Sequence, residues 1–409
     1  MKKSLFILGT LMFVSGVAFA QNIGDNKVNF QYIQLPKIKI DDRFSMYEIR
    51  VEHAYKDANQ DSLAMHDIRK KAALNRYEQD LNIYRRMKDS IDRNYLMSMA
   101  DWEIKTNAGT LGTDGQPLPQ PSQPFYPTAP IMERVEGPLL HTEIADNEVA
   151  DNISIEGFSK GLGGAIVTLK LLPIRNIRII STKKGSGAST KYDYKCLYTL
   201  PIELTLATPT QGTLTQLLIN EGQQSYSFKS FKSSYEYQLY MMDNKDRLYM
   251  DLERAARNNA ISSTKNYLNN SFGYVLKNRV AELYTVKRHK KYEYSDVTNA
   301  YTKTVQALSQ VKNDRDRSGA ANLIEDALEM WKAIMEESNT FDNAARINDK
   351  ISAMIQCNMA ELYLWLGEFN ESEMQANLAL NSGEGKAKRH LNGELGFYAD
   401  QRKRWEANY

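Results

Sequence analysis

The chain has 409 residues, of which 52 are lysine or arginine and 50 are aspartate or glutamate, so its formal net charge is only +2. A protein this close to neutrality has no overall field to steer it onto nucleic acid or an anionic membrane. Its length predicts two or three domains. After the N-terminus no run of about 18 apolar residues occurs, which predicts a mature chain without a transmembrane segment.

The N-terminus has the pattern of a secretory signal peptide over residues 1–20. Lys2 and Lys3 precede an apolar stretch that ends at Ala18, Phe19 and Ala20, and small residues at this point are what a signal peptidase requires. Cleavage after Ala20 is therefore expected to export the protein, most simply to the periplasm. An uncleaved anchor is the alternative. A lipid anchor is not expected, because no cysteine lies near the cleavage site.

Residues 21–58 are expected to supply the first strands of a β domain, because apolar and polar residues alternate over 28–32 and 47–51. Residues 59–106 instead carry apolar residues at helical spacing, which predicts a long helical arm inserted into that domain. Residues 107–130 contain six of the chain's eleven prolines, a composition typical of an exposed linker. The apolar stripe of the arm consists of Tyr77, Leu81, Tyr84, Ile91, Tyr95 and Trp102.

Residues 131–288 are expected to form the main β-rich part, with one helix near 245–269. Apolar, β-branched runs at 165–172 and 174–180 are separated by Pro173, and further alternating segments follow up to residue 219. This pattern predicts an antiparallel sheet, most simply a sandwich to which the N-terminal strands also contribute.

Residues 289–409 are expected to be entirely helical. One segment resembles a tetratricopeptide repeat: a helix ends at Gly367, and a second helix begins within three residues. The residues that carry the resemblance are Asn358, Met359, Ala360, Tyr363, Gly367, Phe369 and Ala379. A generic bundle of α-hairpins is the alternative. The fold class is thus α+β: an antiparallel β-sandwich-like domain with a long helical insertion, followed by a C-terminal helical hairpin module of the tetratricopeptide type that docks on the β domain.

The resemblance implies a groove on the inner face of the terminal repeats. Asn358, Tyr363 and Asn377 are the candidate partner-binding residues there, because amide side chains can bond the backbone of a bound segment. A second candidate is the basic run formed by Lys287, Arg288, Lys290 and Lys291. It could bind an anionic glycan, a lipid head group or an acidic partner; a solvated turn is the alternative.

Motifs for catalysis or metal binding are weak. Gly157-Phe158-Ser159-Lys160-Gly161 fits a serine nucleophile elbow, but a strand and not a helix is expected after it. The acidic stretch that begins at Asp57 lacks the glycine and the final glutamate of a calcium loop. The histidines have no metal-ligand spacing. No catalytic residue, metal or cofactor is therefore predicted. Cys196 and Cys357 are expected to be two buried thiols, with a disulfide as the alternative.

These features together predict a non-enzymatic periplasmic scaffold or interaction protein, which docks onto a larger assembly of the bacterial envelope through its C-terminal helices. A glycan- or peptidoglycan-binding protein is the first alternative, since the chain has 24 tyrosines that could stack on sugars. A hydrolase with an unrecognised site is the second.

Overall fold

The computed structural model describes residues 23–187, 190–287 and 289–409. It contains α-helices and mostly antiparallel sheets, in agreement with the predicted α+β class. The proposed signal peptide at 1–20 and Arg288 of the basic run lie outside the described residues. Within the described ranges, no helix combines the length and the apolar character that crossing a bilayer requires.

The largest sheet has five strands: β2 (Met46–His53), β3 (Ser159–Lys160), β4 (Ala165–Leu171), β7 (Ile202–Thr208) and β8 (Gly212–Ile219). Their order in the sheet is β3-β2-β4-β7-β8. Contrary to the all-antiparallel prediction, β2 pairs in parallel with both β3 and β4. Parallel neighbours need a long crossover connection, and the whole helical insertion lies between β2 and β4.

A second sheet has three antiparallel strands in the order β5-β6-β9: Arg175–Lys184, Lys191–Thr199 and Gln224–Phe231. Each sheet has its own apolar cluster against the long helix α3 (Ser234–Phe272). Ala260, Ile261 and Leu268 of α3 pack with the five-stranded sheet, whereas Leu252 and Ala256 pack with the three-stranded sheet. The predicted face-to-face sandwich is thus replaced by two sheets on one helix, because α3 offers an apolar surface to both.

The predicted arm is a single helix, α1 (Tyr55–Asn107), that begins four residues before the expected point. At about 1.5 Å per residue its 53 residues span roughly 80 Å. Residues 118–145, here called the strap, run back along α1 to the short helix α2 (Asp146–Asn152). The indole of Trp102 donates to the Leu118 carbonyl (2.9 Å), and the Tyr126 hydroxyl donates to Asp92 (2.6 Å). The predicted apolar stripe of α1 is half-buried on this side.

The remaining elements form one unit, here called the terminal module. Strand β1 (Ile23–Gln34) pairs along its whole length with β10 (Val275–Val286) in a two-stranded antiparallel ribbon. Five helices pack on it: α4 (Ser295–Gln310), α5 (Ser318–Met335), α6 (Asp349–Leu366), α7 (Phe369–Asn381) and α8 (Gly385–Glu406).

The ribbon corrects the expected domain boundaries. The sequence pattern places Val28, Phe30 and Tyr32 in the β domain, but they belong to the same apolar cluster as the terminal helices. The rings of Phe30 and Tyr32 lie 5.4 and 4.9 Å from that of Trp365 on α6. A boundary at residue 289 therefore cuts through a shared core. Alternation specifies that a strand has one apolar face but not which element covers it.

Candidate partner-binding surface on the terminal helices

Helices α6 and α7 form the hairpin that the sequence predicted. Asn348 caps α6, because its side chain accepts a hydrogen bond from the Ile351 backbone N–H at 3.1 Å. Gly367 ends α6 with φ +87°, a left-handed conformation that favours glycine. A Cβ at this position would also lie 3.0 Å from the Trp405 ring. Nearly all of α6 is buried, so it is a central element with neighbours on every side.

The inner face of this hairpin is occupied by the protein's own ribbon. Asn358, predicted to bond the backbone of a bound segment, is fully buried. Its Oδ1 accepts from the Tyr284 backbone N–H at 2.9 Å, and its Nδ2 donates to the Tyr284 carbonyl at 2.8 Å. The amide thus pairs with the outer edge of β10 as a further strand would. The expected chemistry is present, but its ligand is an extended segment of the same chain.

A buried ion pair strengthens this contact between α6 and the ribbon. The Arg279 guanidinium of β10 donates two hydrogen bonds to the Glu361 carboxylate, at 2.7 and 2.6 Å. The indole of Trp365 and the hydroxyl of Tyr398 also donate to Glu361, at 2.7 and 2.9 Å. Burial acts to raise the pKa of Glu361, but the Arg279 charge and these hydrogen bonds outweigh it and hold the pKa below its ordinary value. Four donors around one carboxylate make a structural network.

Of the other groove candidates, Tyr363 is also buried, and the Lys332 ammonium lies 5.6 Å from its ring centre. Asn377 is exposed on α7. The structure therefore does not bring the three predicted residues together on one accessible surface. Asn358 and Tyr363 belong to the core of the terminal module, and only Asn377 is available to a partner.

The accessible surface around Asn377, here called the outer face, is formed by α7 and α8. On α7, Met374 and Leu378 are 46% and 47% exposed. They lie beside a row of exposed amides made by Asn370, Asn377 and Asn381, which are one and two turns of helix apart.

A cavity of about 250 Å³ opens between α7 and α8 next to this row. Glu373 borders both this cavity and the asparagine row, and it forms an ion pair with Arg402 at 3.4 Å. The remaining lining of the cavity is mostly apolar: Leu364, Phe369, Ser372, Ala376, Leu395, Tyr398 and Ala399. The outer face thus combines an apolar pocket with uncharged donors and acceptors, a combination suited to a peptide segment.

The basic run lies in the connection from β10 to α4. Lys287, Lys290 and Lys291 are exposed. The Lys291 ammonium lies 4.7 Å from the ring centre of Tyr292, which in turn donates a hydrogen bond to the Ala344 carbonyl at 2.8 Å. The aromatic residues after the run therefore anchor the α5–α6 connection, while the lysines stay at the surface.

A second cluster of ionisable groups lies at the root of the arm. The His141 ring is 3.0 Å from Glu253 on α3, and Arg257 donates to the same carboxylate at 2.6 Å. Burial acts to raise the pKa of Glu253, but hydrogen bonds from His141 and Thr142 and the Arg257 charge hold the pKa below its ordinary value. The cavity beside this cluster, about 190 Å³, has no serine, threonine or cysteine in its lining.

The same cluster fixes the end of the strap. The Asn59 side chain makes two hydrogen bonds with the His141 backbone, at 3.0 and 2.7 Å. The Ile144 backbone N–H donates to the Tyr55 hydroxyl at 3.1 Å. Each contact joins the strap to α1 or α3, so the arrangement closes the insertion.

The remaining motifs form no site. Ser159 is exposed in β3 and is followed by β4, so the strand–turn–helix geometry of a nucleophile elbow is not formed. Asp57 lies in the first turn of α1, so the acidic stretch that begins there is helical and is not a loop. In the ranges that the structure describes, no three histidine, cysteine or acidic side chains converge as metal ligands. Cys196 and Cys357 are buried free thiols, and burial raises the pKa of Cys357 to about 12.

Comparisons with protein families, with curated proteins and with solved structures return no match for this chain. The resemblance to tetratricopeptide repeats therefore rests on the residues of the α6–α7 hairpin alone.

Sequence reasoning missed the contacts that decide which surface is open. A buried ion pair was signalled by Glu361, a charged residue inside the apolar run of α6. The outer face was signalled by Met374 and Leu378, two apolar residues four positions apart on a helix whose buried side is formed by Ser372, Gln375, Ala376 and Ala379.

Proposed function

We propose that this chain is a non-enzymatic interaction protein of the bacterial envelope that docks onto a larger assembly through the outer face of α7 and α8. The observation that carries the proposal is the position of this face on a module whose inner groove is already filled by its own ribbon. A rigid, internally hydrogen-bonded support under an exposed apolar pocket is what a docking surface requires.

The expected occupant is a segment of a partner protein. Met374 and Leu378 would bury apolar side chains of that segment, and the amides of Asn370, Asn377 and Asn381 would bond its backbone. The row of amides has no formal charge, which favours a neutral peptide over an anionic glycan. In this proposal the α6–α7 hairpin is a tetratricopeptide-like unit with its inner face satisfied internally.

Export to the periplasm remains part of the proposal because residues 1–20 have the pattern of a signal peptide. N-terminal sequencing of the protein recovered from cells tests it directly. A chain that begins at Gln21 would support export, and an intact Met1 would contradict it.

The docking face is tested by in-cell crosslinking of the tagged chain, followed by mass spectrometry and by binding measurements with the purified partner. Met374→Glu combined with Leu378→Glu should raise the dissociation constant at least about tenfold, since it places charges on the apolar surface. Phe341→Glu is the matched control, because Phe341 is a fully exposed apolar residue of the same module outside this face.

Three outcomes are informative. Loss of binding in the α7 double variant, with binding retained in Phe341→Glu, supports the proposal. Equal binding by both variants overturns the assignment of the face. Co-sedimentation with cell-wall glycan that depends on Lys287, Lys290 and Lys291 would favour the glycan-binding function, for which the exposed basic run is the specific observation.

A further inference from the structure

Helix α1 leaves one long side open. Met65, Ile68, Ile83, Met87, Met97 and Ile104 are each between 52% and 71% exposed. At about 100° per residue, Ile83 is turned about 240° from Tyr77, one of the residues on the strap side. The others fall on the same side as Ile83, here called the open face. The strap therefore covers one face of the arm and leaves a second apolar stripe in solvent.

We propose that the open face pairs, antiparallel, with the open face of α1 in a second copy of this chain. The inference is independent of the partner proposed for α7 and α8. An exposed apolar stripe of this length on a monomer usually marks an interaction site. Three observations identify a second copy as its occupant.

The first observation is size. From Met65 to Ile104 the open face runs about 60 Å along α1, and a strip about 10 Å wide therefore offers on the order of 600 Å², the lower end of what each partner contributes to a stable interface. A second α1 is a rod of equal length and could cover the whole stripe. A short segment could not.

The second observation is charge. Acidic and basic side chains are nearly equal in number along α1 and are interspersed from end to end. Two copies would therefore not repel each other, whereas a strongly acidic or basic partner would find no complementary field.

The third observation is register. If Ile83 faces Met87 of the second copy, the antiparallel geometry also places Arg69 opposite Asp101 of the second copy, since both pairs of residue numbers have the same sum. Arg69 makes no ion pair with a described carboxylate; its Nε donates to the Met65 carbonyl of its own helix at 3.3 Å. Asp101 pairs with Lys105 at 2.7 Å in an exposed contact, which is weak enough to be shared. The twofold symmetry would form two Arg69–Asp101 pairs around two Ile83–Met87 contacts.

Sedimentation equilibrium of the full chain over a wide concentration range tests the proposal. The unaltered chain should dimerise, and Ile83→Glu combined with Met87→Glu should raise the dissociation constant at least about tenfold. Leu96→Glu is the matched control: Leu96 is 65% exposed on the same helix but lies outside the open face. Far-UV circular dichroism should show equal helix content in all three chains.

A monomer at every concentration would overturn the proposal. So would a dimer that the double variant leaves intact, or one that Leu96→Glu dissociates equally. The register has its own test: Arg69→Asp and Asp101→Arg should each weaken the dimer, and the two together should restore it. Failure of the charge exchange to restore dimerisation would exclude the antiparallel register. None of these variants touches α7 or α8, so partner binding reports on the proposed function separately.

Discussion

The terminal module and the arm both contain helices with apolar faces, yet they cover those faces in different ways. In the terminal module, α6 is surrounded by other helices and by the ribbon, and even its polar side chains bond within the fold. In the arm, only Tyr55 and Ala73 of α1 are fully buried. The strap lies along one side through a few hydrogen bonds, and the other side is open.

This difference distinguishes helices that stabilise the fold from helices that offer a binding surface. A helix whose neighbours come from the same chain gains stability from them and has little left to offer a partner. A helix that its own chain covers on one side depends on its propensity and on exposed contacts, each of which contributes little, and its apolar side remains available. We expect the sensitivity of the two regions to substitution to differ accordingly.

The largest effect is expected from deletion of residues 290–409. If residues 21–288 held an independent β domain, that domain would stay folded after this truncation. In the structure, however, Val28, Phe30, Tyr32 and Tyr284 belong to one apolar cluster with residues of the deleted helices. Hydrogen exchange should therefore show the ribbon unprotected over 23–34 and 275–286 while the strands of the five-stranded sheet keep their protection. A protected ribbon in the truncated chain would mean that the terminal module is not one core.

The next largest effect is expected at the buried ion pair. Glu361→Ala removes the main carboxylate partner of the buried Arg279 guanidinium and leaves it the partly exposed Glu394 carboxylate at 3.0 Å. The change should cost about 3–5 kcal/mol in the free energy of unfolding. Urea denaturation measures this loss. Glu373→Ala, which removes the exposed pair with Arg402, is the control and should cost less than about 1 kcal/mol. Comparable losses in the two variants would contradict the central role of the α6–ribbon contact.

A smaller loss is expected for Asn358→Ala. The change leaves the buried N–H and C=O of Tyr284 without their partner and should cost about 1–3 kcal/mol. Asn377→Ala removes the same amide from an exposed position and should change stability by less than about 0.5 kcal/mol. If thermal denaturation gave the reverse order, Asn358 could not be the edge partner of β10.

Acid should reduce the contribution of Glu361. Its folded-state pKa is lowered, so its stabilising effect is fully present above the unfolded-state pKa of about 4.3 and is lost as the pH falls through the folded-state pKa. The difference in urea midpoint between the unaltered chain and Glu361→Gln should therefore be largest near pH 6 and shrink below about pH 4. A difference that stays constant over this range would contradict the charged pair.

The smallest effect is expected on the open face of the arm. Met97→Gln should change the unfolding free energy of the monomer by less than about 0.5 kcal/mol, because Met97 is 71% exposed. Limited proteolysis at low protein concentration should also cut the strap before the terminal module, since the backbone of the strap has few hydrogen bonds. Early cleavage within α6 or α8 would reverse the proposed ranking of the two regions.

The candidate surfaces show what a local sequence pattern can predict about a binding site and what it cannot. The sequence predicts that Asn358 bonds the backbone of a partner, whereas in the structure its amide bonds the backbone of β10 in the same chain. Asn358 and Tyr284 are separated by 74 positions in the sequence. The chemistry of an amide side chain does not show which distant segment of the chain it will bond. Met374 and Leu378 carried a local signal, but whether they are exposed depends on where α8 packs.

The sequence by itself determined the local conformation of most segments. Helical spacing predicted α1, the α6–α7 hairpin and α8; alternation predicted the strands; and proline content predicted the end of the arm. These features depend on backbone preferences and on periods of two or 3.6 residues, which are properties of a short window of chain.

Only the tertiary structure decided which apolar faces meet. It joined β1 to β10 and placed both on the terminal helices, made β2 and β4 parallel, set two sheets on α3 and laid the strap on one side of α1. The physical reason is that burial is non-directional: an apolar face gains about the same free energy from any apolar surface that fits it. Shape, the long connections and buried polar pairs such as Arg279–Glu361 then select among the possible partners.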